Sequence, residues 1–204
     1  MEVETYSFRH AETILLADFK EQYSELLGII KGIGDENIRE EFLVNGKNNK
    51  SLSTTINRML KVRFLEKGWT AESRIFKDDD FESGTWRIDF AKDDISVEVG
   101  FNHGTVAAWN LIKPTIAGEL NHIQKEHNTK IGIVITATQK MKKNGGYDNA
   151  IGTFESYIKY IKALNNILTI PILLIGLKEL SSFKIIHQAN DKGKKIGVIE
   201  DIAK

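Results

Sequence analysis

The chain has 204 residues, no cysteine and a formal net charge of zero, which suits a single domain over residues 1–204 and excludes disulfides, thiolate metal sites and cysteine nucleophiles. Charge is uneven along it: residues 120–204 carry 13 lysines and 7 acidic residues, whereas the first 119 carry 15 basic and 21 acidic residues, an asymmetry compatible with a metal centre and DNA binding. An acidic N-terminus without an apolar run, and a longest apolar stretch (Ile167–Leu177) that is too short to cross a bilayer, predict a cytoplasmic protein with no membrane partner.

The N-terminal third is predicted to be mainly helical. Ala11–Ile30 has the apolar periodicity of one amphipathic helix. Asp35–Ser51 is polar, and its last residues are typical of a loop. Ser53 or Thr54 can cap a second helix that runs to about Glu66.

Residues 86–101 predict a β-hairpin with a carboxylate inside each apolar strand, Asp89 in the first and Glu98 in the second. Burying a lone carboxylate costs several kcal/mol unless a partner or a metal offsets the cost. Two carboxylates on facing strands can share one divalent cation, and the backbone carbonyl of Val99 is a candidate third ligand. The alternative is that both carboxylates face solvent on an edge hairpin.

The remaining chain alternates between predicted helices and strands. In order, these are a helix from Val106 to Glu126 that Pro114 should kink or split, a buried strand Ile131–Ala137, a loop Lys140–Asn149, a helix Ile151–Asn165, a buried strand Ile172–Leu177 and an edge strand Phe183–Ile186. Helix-linked buried strands after a hairpin predict an α/β fold with a mixed central β-sheet flanked by helices.

The hairpin and its surroundings resemble the PD-(D/E)xK nucleases, and more specifically the type II restriction endonucleases of the BglII and BstYI kind. The resemblance covers most of the chain at low identity. It rests on four stretches: Ile88-Asp89-Phe90-x-Lys92 with Val97-Glu98-Val99-x-Phe101, Lys67-Gly68-Trp69-Thr70-Ala71-Glu72-Ser73-Arg74, Ile170–Leu177, and Tyr6-Ser7 with the helix that follows. It implies the restriction-endonuclease-like core fold.

The resemblance also implies roles for single residues. Asp89 and Glu98 match the family's two principal metal-binding carboxylates, and Glu72 matches an upstream residue that completes the active site. The implied cofactor is Mg²⁺, for which Mn²⁺ can substitute. The alternative for Glu72 is an exposed acid after a helix.

Gly100 departs from the family pattern. The wider superfamily has Lys at this position, and the BglII and BstYI kind has Gln. Because glycine supplies neither a proton acceptor nor a charge, no side chain at this position can orient the attacking water. Either the metal alone positions the water, or Lys113 or Glu72 substitutes, or activity is reduced.

Two segments are candidates for DNA contacts. Asn102 and His103 follow the second hairpin strand, where the resemblance places base contacts; Asn can pair with adenine and His can reach guanine acceptors. The second candidate is the polar loop after the buried strand, with Lys142, Lys143, Asn144, Asp148 and Asn149. The alternatives are a conformational Asn- and Gly-rich turn and a solvated lysine-rich loop.

The function implied by the resemblance is that of a homodimeric type II restriction endonuclease. It would hydrolyse double-stranded DNA at a short palindromic site, here one centred on GATC, with a metal-activated water as nucleophile. The helices Val106–Glu126 and Ile151–Asn165 would form the dimer, and a cognate DNA methyltransferase would act in the same system without binding the enzyme. The alternatives are a PD-(D/E)xK repair nuclease without sequence preference and a DNA-binding protein with weakened catalysis.

Overall fold

A six-stranded sheet with helices on both faces forms the centre of the computed structural model, which describes residues 1–119, 125 and 128–203. The strands are β1 (Val3–Phe8), β2 (Thr70–Arg74), β3 (Arg87–Lys92), β4 (Ile95–Val99), β5 (Ile131–Ala137), β6 (Ile172–Leu177), β7 (Phe183–Ala189) and β8 (Lys195–Asp201). The helices are α1 (Ala11–Asp18), α2 (Lys20–Lys31), α3 (Asp35–Asn45), α4 (Ser53–Glu66), α5 (Ala107–Glu119), α6 (Gln139–Asn144) and α7 (Phe154–Ala163).

The strand order in the large sheet is β1-β6-β5-β4-β3-β2. The middle strands β4, β5 and β6 are parallel, and β1, β2 and β3 are antiparallel to their neighbours. Every residue of β5 and β6 is buried, as expected for central strands covered on both faces. The predicted α/β fold with a mixed sheet flanked by helices is therefore confirmed.

Helices cover the two faces of this sheet unequally. One face packs its apolar residues, such as Val97 and Ile133, against α1 to α4. The other face carries Val134 and Leu174 and packs against α5 and α7. Since side chains alternate between faces along a strand, the register pair Glu98↔Val134 places Glu98 on the α5 face of the sheet.

Several predicted boundaries in the first third are wrong. The chain leaves the helical conformation at Phe19 (φ −131°), so the predicted helix Ala11–Ile30 is two helices, α1 and α2. Much of the polar segment Asp35–Ser51 is helix α3, whose Ile38 and Phe42 are buried. Helix α4 begins at Ser53 without any side-chain cap. Strand β1 was not predicted.

The second half also differs in part. Helix α5 continues through Pro114 to Glu119 instead of splitting; the rest of the predicted span, residues 120–126, lies outside the described residues except for Lys125. The first part of the predicted loop Lys140–Asn149 belongs to helix α6. Strand β7 pairs with β8 in a separate two-stranded sheet and is not an edge of the large one. Among the described residues, no helix is both long and apolar enough to cross a membrane.

The two-stranded sheet is attached to the N-terminal helices by polar contacts. The Asp35 carboxylate at the start of α3 accepts four hydrogen bonds of 2.8–3.1 Å from the backbone and hydroxyl groups of Ser181 and Ser182. At the other end of the sheet, the Gly197 N–H donates to the carbonyl of Asn49 at 2.8 Å. The β7–β8 sheet therefore spans α3 from its first turn to the loop that follows it.

Candidate active site

The hairpin of β3 and β4 opens where its two carboxylates stand. The last described pair of the ladder is Phe90↔Val97, and the same register places Asp89 opposite Glu98 one position further on. Here the Val99 N–H is not used in the ladder and donates to Asp89 Oδ2 at 2.7 Å. In an extended strand the N–H and the C=O of one residue point to the same side, so the Val99 carbonyl also faces the Asp89 strand.

Glu98 is buried, with only 1% of the residue exposed. Its Oε2 forms an ion pair with the Nζ of Lys113 on α5, and Lys113 also donates to the carbonyl of Arg87 at 3.0 Å. Its Oε1 is buried and has no hydrogen-bond partner in the described part of the chain. An unpartnered carboxylate oxygen in the interior is costly, and a cation would remove that cost.

Both carboxylates bind a proton more tightly than usual, mainly because they are buried. Burial raises the pKa of Glu98 well above its ordinary value, the nearby Asp89 raises it further, and Lys113 opposes both effects. Burial likewise raises the pKa of Asp89, against the Val99 N–H and Lys113, which lower it. A divalent cation between them would favour the ionised form of both acids, so the residues fit a hard metal ion such as Mg²⁺.

A cleft of about 240 Å³ leads from the surface to Asp89. Its lining includes residues from α4, β2, β3 and the segment after β4, namely Asn57, Lys61, Glu72, Asp89, Val99 and Asn102. A larger groove of about 720 Å³ near Met1 and Glu179 contains none of the predicted site residues. The smaller cleft therefore gives solvent access to Asp89, whereas Glu98 does not line it.

Glu72 stands at the mouth of this cleft in a strained backbone conformation. Its φ is +54°, and the β2–β3 register has no pair at this position, which would be opposite Asp89. Its carboxylate is exposed and lies 3.5 Å from the Lys61 ammonium. Among the described residues, no three acidic, His or Cys side chains lie close enough together to form a metal-binding group. Asp89 and Glu98 are therefore a pair of candidate ligands, and Glu72 is separate from them.

The position of Gly100 is closed by neighbouring side chains. A Cβ atom at this residue would lie 2.2 Å from Tyr157 Oη and 3.2 Å from Asn110 Nδ2. The buried Asn110 donates to this hydroxyl at 2.8 Å, and the Gly100 backbone is fixed by bonds to Ile135 and Thr136. A Lys or Gln side chain has no room here while Tyr157 stays in place.

The predicted DNA-contact segments lie beside each other. The Gly152 N–H donates to Asn102 O at 3.1 Å, and His103 forms an isolated bridge with Ile151. The Lys142 ammonium donates to Asn149 O at 2.6 Å, linking α6 to the same segment. The exposed residues among those predicted for base or phosphate contact are Asn102, His103, Lys143, Asp148 and Asn149, while Lys142 and Asn144 are half-buried.

His103 has a defined hydrogen-bonding partner. Its Nδ1 accepts from the Thr105 backbone N–H at 3.3 Å. The same Nδ1 lies 2.9 Å from the Thr105 hydroxyl oxygen. Thr105 therefore fixes this edge of the exposed ring.

Four residues of the site were not predicted from sequence. Asn57 and Lys61 line the cleft and are four residues apart on α4, a spacing that places them on one helix face and that could have identified them. Asn110 and Tyr157 come from different helices and meet only in the folded protein. No local pattern indicates that they close the Gly100 position.

Comparison with known proteins identifies the family of this chain. The family model described as restriction endonuclease BglII/BglIII matches residues 3–177. Two solved structures have the same fold: restriction endonuclease BglII complexed with a DNA 16-mer (TM-score 0.69, 19% identity) and free BglII (TM-score 0.58, 21% identity). Each alignment covers 99% of this chain and 100% of the other. No curated protein matches the chain.

The family match includes the whole large sheet, the β3–β4 hairpin and the helices that hold Lys113 and Tyr157. It ends before the β7–β8 sheet. The chain thus belongs to the BglII/BglIII family of restriction endonucleases.

Proposed function

We propose that this protein is a metal-dependent type II restriction endonuclease that hydrolyses phosphodiester bonds in double-stranded DNA. The observation that supports this best is the Asp89–Glu98 pair: Asp89 lines a surface cleft, and Glu98, opposite it in the hairpin register, has a buried oxygen without a partner among the described residues. Asp89, Glu98 and the Val99 carbonyl would hold Mg²⁺, and Mn²⁺ would replace it. When bound, such an ion supplies a Lewis acid that favours ionisation of a water and offsets charge on the phosphate.

The residues of the site have separate tasks in this proposal. The Val99 N–H fixes the orientation of Asp89, and Lys113 fixes that of Glu98. Glu72 lines the same cleft as Asp89 and would lie near the phosphate of bound DNA. Its carboxylate is the candidate general base that accepts a proton from the attacking water, or a candidate ligand of a second cation.

The DNA surface in this proposal is the one around Asn102 and His103. One of the two similar solved structures is a complex of BglII with DNA, which supports the same partner here. Asn102 and the ring of His103 would contact bases. Further candidates for base or phosphate contacts are Lys142, Lys143, Asn144, Asp148 and Asn149.

The proposed enzyme is a homodimer that cuts one strand with each subunit. Helices α5 and α7 pack together and leave Ile112, Ile158 and Tyr160 only partly buried, which is compatible with a dimer contact on this face. A two-fold dimer implies a palindromic target, for which we propose a hexamer centred on GATC. A methyltransferase of the same specificity would protect the host.

Digestion of a plasmid of known sequence in Mg²⁺, followed by sequencing of the cut ends, tests the proposal. Discrete fragments with one common palindrome at their ends are expected. A smear would indicate a nuclease without sequence preference. A specific gel shift in Ca²⁺ without cleavage in Mg²⁺ or Mn²⁺ would indicate a binding protein.

Asp89→Ala and Glu98→Ala test the site itself. Each removes one of the two buried carboxylates, and each should abolish cleavage while the circular dichroism spectrum keeps its native form. Cleavage by either variant at close to the wild-type rate would show that the site lies elsewhere.

A further inference from the structure

The buried Lys113–Glu98 ion pair is not an effective way to stabilise the folded state. Removing two charges from water costs several kcal/mol each, and apolar side chains of the same size are often as stable or more so. Here the cost is higher still, because Oε1 of Glu98 has no partner among the described residues. A buried ion pair that leaves one carboxylate oxygen unpartnered, next to a second partly buried carboxylate, points to a role in function.

We propose that Lys113 is the positioning residue of this site: it holds Oε2 of Glu98, leaves Oε1 free to face the cation, and supplies from α5 the positive charge that Gly100 cannot carry. The proposal rests on the proposed nuclease function, because it assigns a task within that site. It concerns one residue outside the hairpin, on a helix that the metal-binding pattern does not include.

The contacts of Lys113 explain how a residue of helix α5 can position side chains of the β3–β4 hairpin. Its ammonium bonds to Glu98 on β4 and to the Arg87 carbonyl on β3, at 3.0 Å for the latter. It therefore links the two strands just where their own ladder has ended. A lysine at position 100 would reach the same region along the strand, but Tyr157 closes that route.

A single face of α5 carries both parts of this arrangement. Asn110 lies three residues before Lys113, so the two side chains project from the same side of the helix. Asn110 holds the Tyr157 hydroxyl against Gly100, while Lys113 holds Glu98. Helix α5 thus helps Tyr157 to exclude a side chain at position 100, through Asn110, and provides a positive charge beside Glu98, through Lys113.

Lys92 offers a matched control on the same hairpin. Its ammonium also bonds to one carboxylate and one carbonyl, those of Glu25 and Lys67, at 2.8 Å each. It lies at the turn end of β3, and Glu25 has a second partner in Trp69. Lys92→Met therefore removes a lysine of the same bonding pattern without touching the cleft.

The first experiment measures single-turnover cleavage in Mg²⁺ together with duplex affinity in Ca²⁺. Lys113→Met should lower the cleavage rate constant about 100-fold or more, the usual effect of losing a group that orients the reacting partners. Lys113→Arg, which keeps the charge, should retain more activity than Lys113→Met. Affinity for the duplex in Ca²⁺ should stay at the wild-type value in both, and Lys92→Met should cleave at the wild-type rate.

The second experiment needs neither metal nor DNA. Urea unfolding in EDTA of Lys113→Met, Glu98→Gln and the double variant forms a double-mutant cycle. If Lys113 acts through Glu98, the double variant should lose less stability than the sum of the single losses, by about tenfold in the unfolding constant. Lys92→Met combined with Glu98→Gln should be additive.

The outcomes separate this proposal from the nuclease assignment. An additive Lys113–Glu98 cycle, or a Lys113→Met variant that cuts as fast as wild type while Asp89→Ala is inactive, overturns the role of Lys113 alone. Cleavage by Asp89→Ala at the wild-type rate overturns the nuclease site. In that case the cycle in EDTA still decides whether Lys113 holds Glu98.

Discussion

At the scale of single residues, Gly100 and Tyr157 depend on each other. The Tyr157 hydroxyl fills the space that a side chain at position 100 would need. The lack of a polar side chain at position 100, where the resemblance implies Gln, therefore depends on three residues, Gly100, Asn110 and Tyr157. Gly100→Gln alone should not place a glutamine side chain in the site while Tyr157 stays in place.

This dependence can be measured by Gly100→Ala in two backgrounds. In the wild type the added Cβ would overlap the hydroxyl, and overpacking of this kind costs about 1–3 kcal/mol of unfolding free energy. In Tyr157→Phe the nearest atom would be the ring carbon, at 2.9 Å instead of 2.2 Å, so the cost should fall. Urea denaturation of the four proteins tests it; an equal cost in both backgrounds would contradict the packing argument.

Glu72 is the other residue of the candidate site whose backbone conformation bears on its role. A non-glycine residue at φ +54° costs about 1–2 kcal/mol, and such strain is concentrated at functional sites. The exposed ion pair with Lys61 contributes little in return. The strain favours a functional role for Glu72 over that of an ordinary exposed acid.

Replacing Glu72 with Gly and with Ala separates strain from chemistry. Both changes remove the carboxylate, and both should reduce cleavage. Only glycine relaxes the backbone, so Glu72→Gly should be more stable than Glu72→Ala by about 1 kcal/mol. Thermal unfolding and single-turnover assays give the two readouts. Equal stability of the two variants would show that the conformation carries no strain.

At the scale of elements, the sequence predicts the strands and helices that a local pattern of residues determines. The buried strands β5 and β6 were predicted with the bounds that the structure has, because continuous apolar runs of strand length have few other solutions. Strand β1 is different: it alternates weakly, lies at a sheet edge, and its partner β6 is far away in the chain. The break at Phe19 has no glycine or proline to indicate it.

The candidate active site shows the same division between local and long-range information. Asp89 and Glu98 could be proposed from the sequence because the hairpin that joins them is local. The Lys113–Glu98 contact, the closure of Gly100 by Tyr157 and the strain at Glu72 arise from packing between separate elements. A sequence can nominate Lys113 as a polar residue on a helix, but only the fold shows which carboxylate it meets.

The attachment of the β7–β8 sheet to α3 should make stability depend on pH. Burial raises the pKa of Asp35, but the hydrogen bonds from Ser182 and Ser181 more than offset this and hold the pKa below its ordinary value. Because the unfolded chain then binds the proton more tightly, this stabilisation is present above about pH 4 and is lost as the pH falls through the folded pKa.

Asp35→Asn tests this dependence. Its unfolding free energy should be lower than that of the wild type at neutral pH, and the difference should shrink as the pH falls below about 4. Glu36→Gln is the matched control, since it removes a charge from the same turn without those bonds. A difference between wild type and Asp35→Asn that stays constant from pH 7 to pH 3 would contradict the assignment.

At the scale of the whole molecule, the proposed dimer has a kinetic signature. A dimer that holds both strands converts supercoiled plasmid directly to the linear form, whereas a monomer accumulates nicked circles. Ile158→Glu places a charge on the partly buried face of α7 and should produce a monomer by sedimentation, with nicking or no cleavage. Leu16→Glu, an exposed apolar residue on α1 across the sheet, is the control and should stay dimeric.

The register Val3↔Leu177 has a consequence for how the enzyme is made. These two residues are also the first and last of the family match, so the family's structural unit begins and ends on one pair of neighbouring strands. Strand β1 is synthesised long before β6 and must wait for it before the two can pair, and such long-range pairing is intrinsically slow. A partly synthesised chain that has not reached β6 therefore lacks the completed sheet, and the nuclease fold cannot close around its candidate site until β6 has left the ribosome.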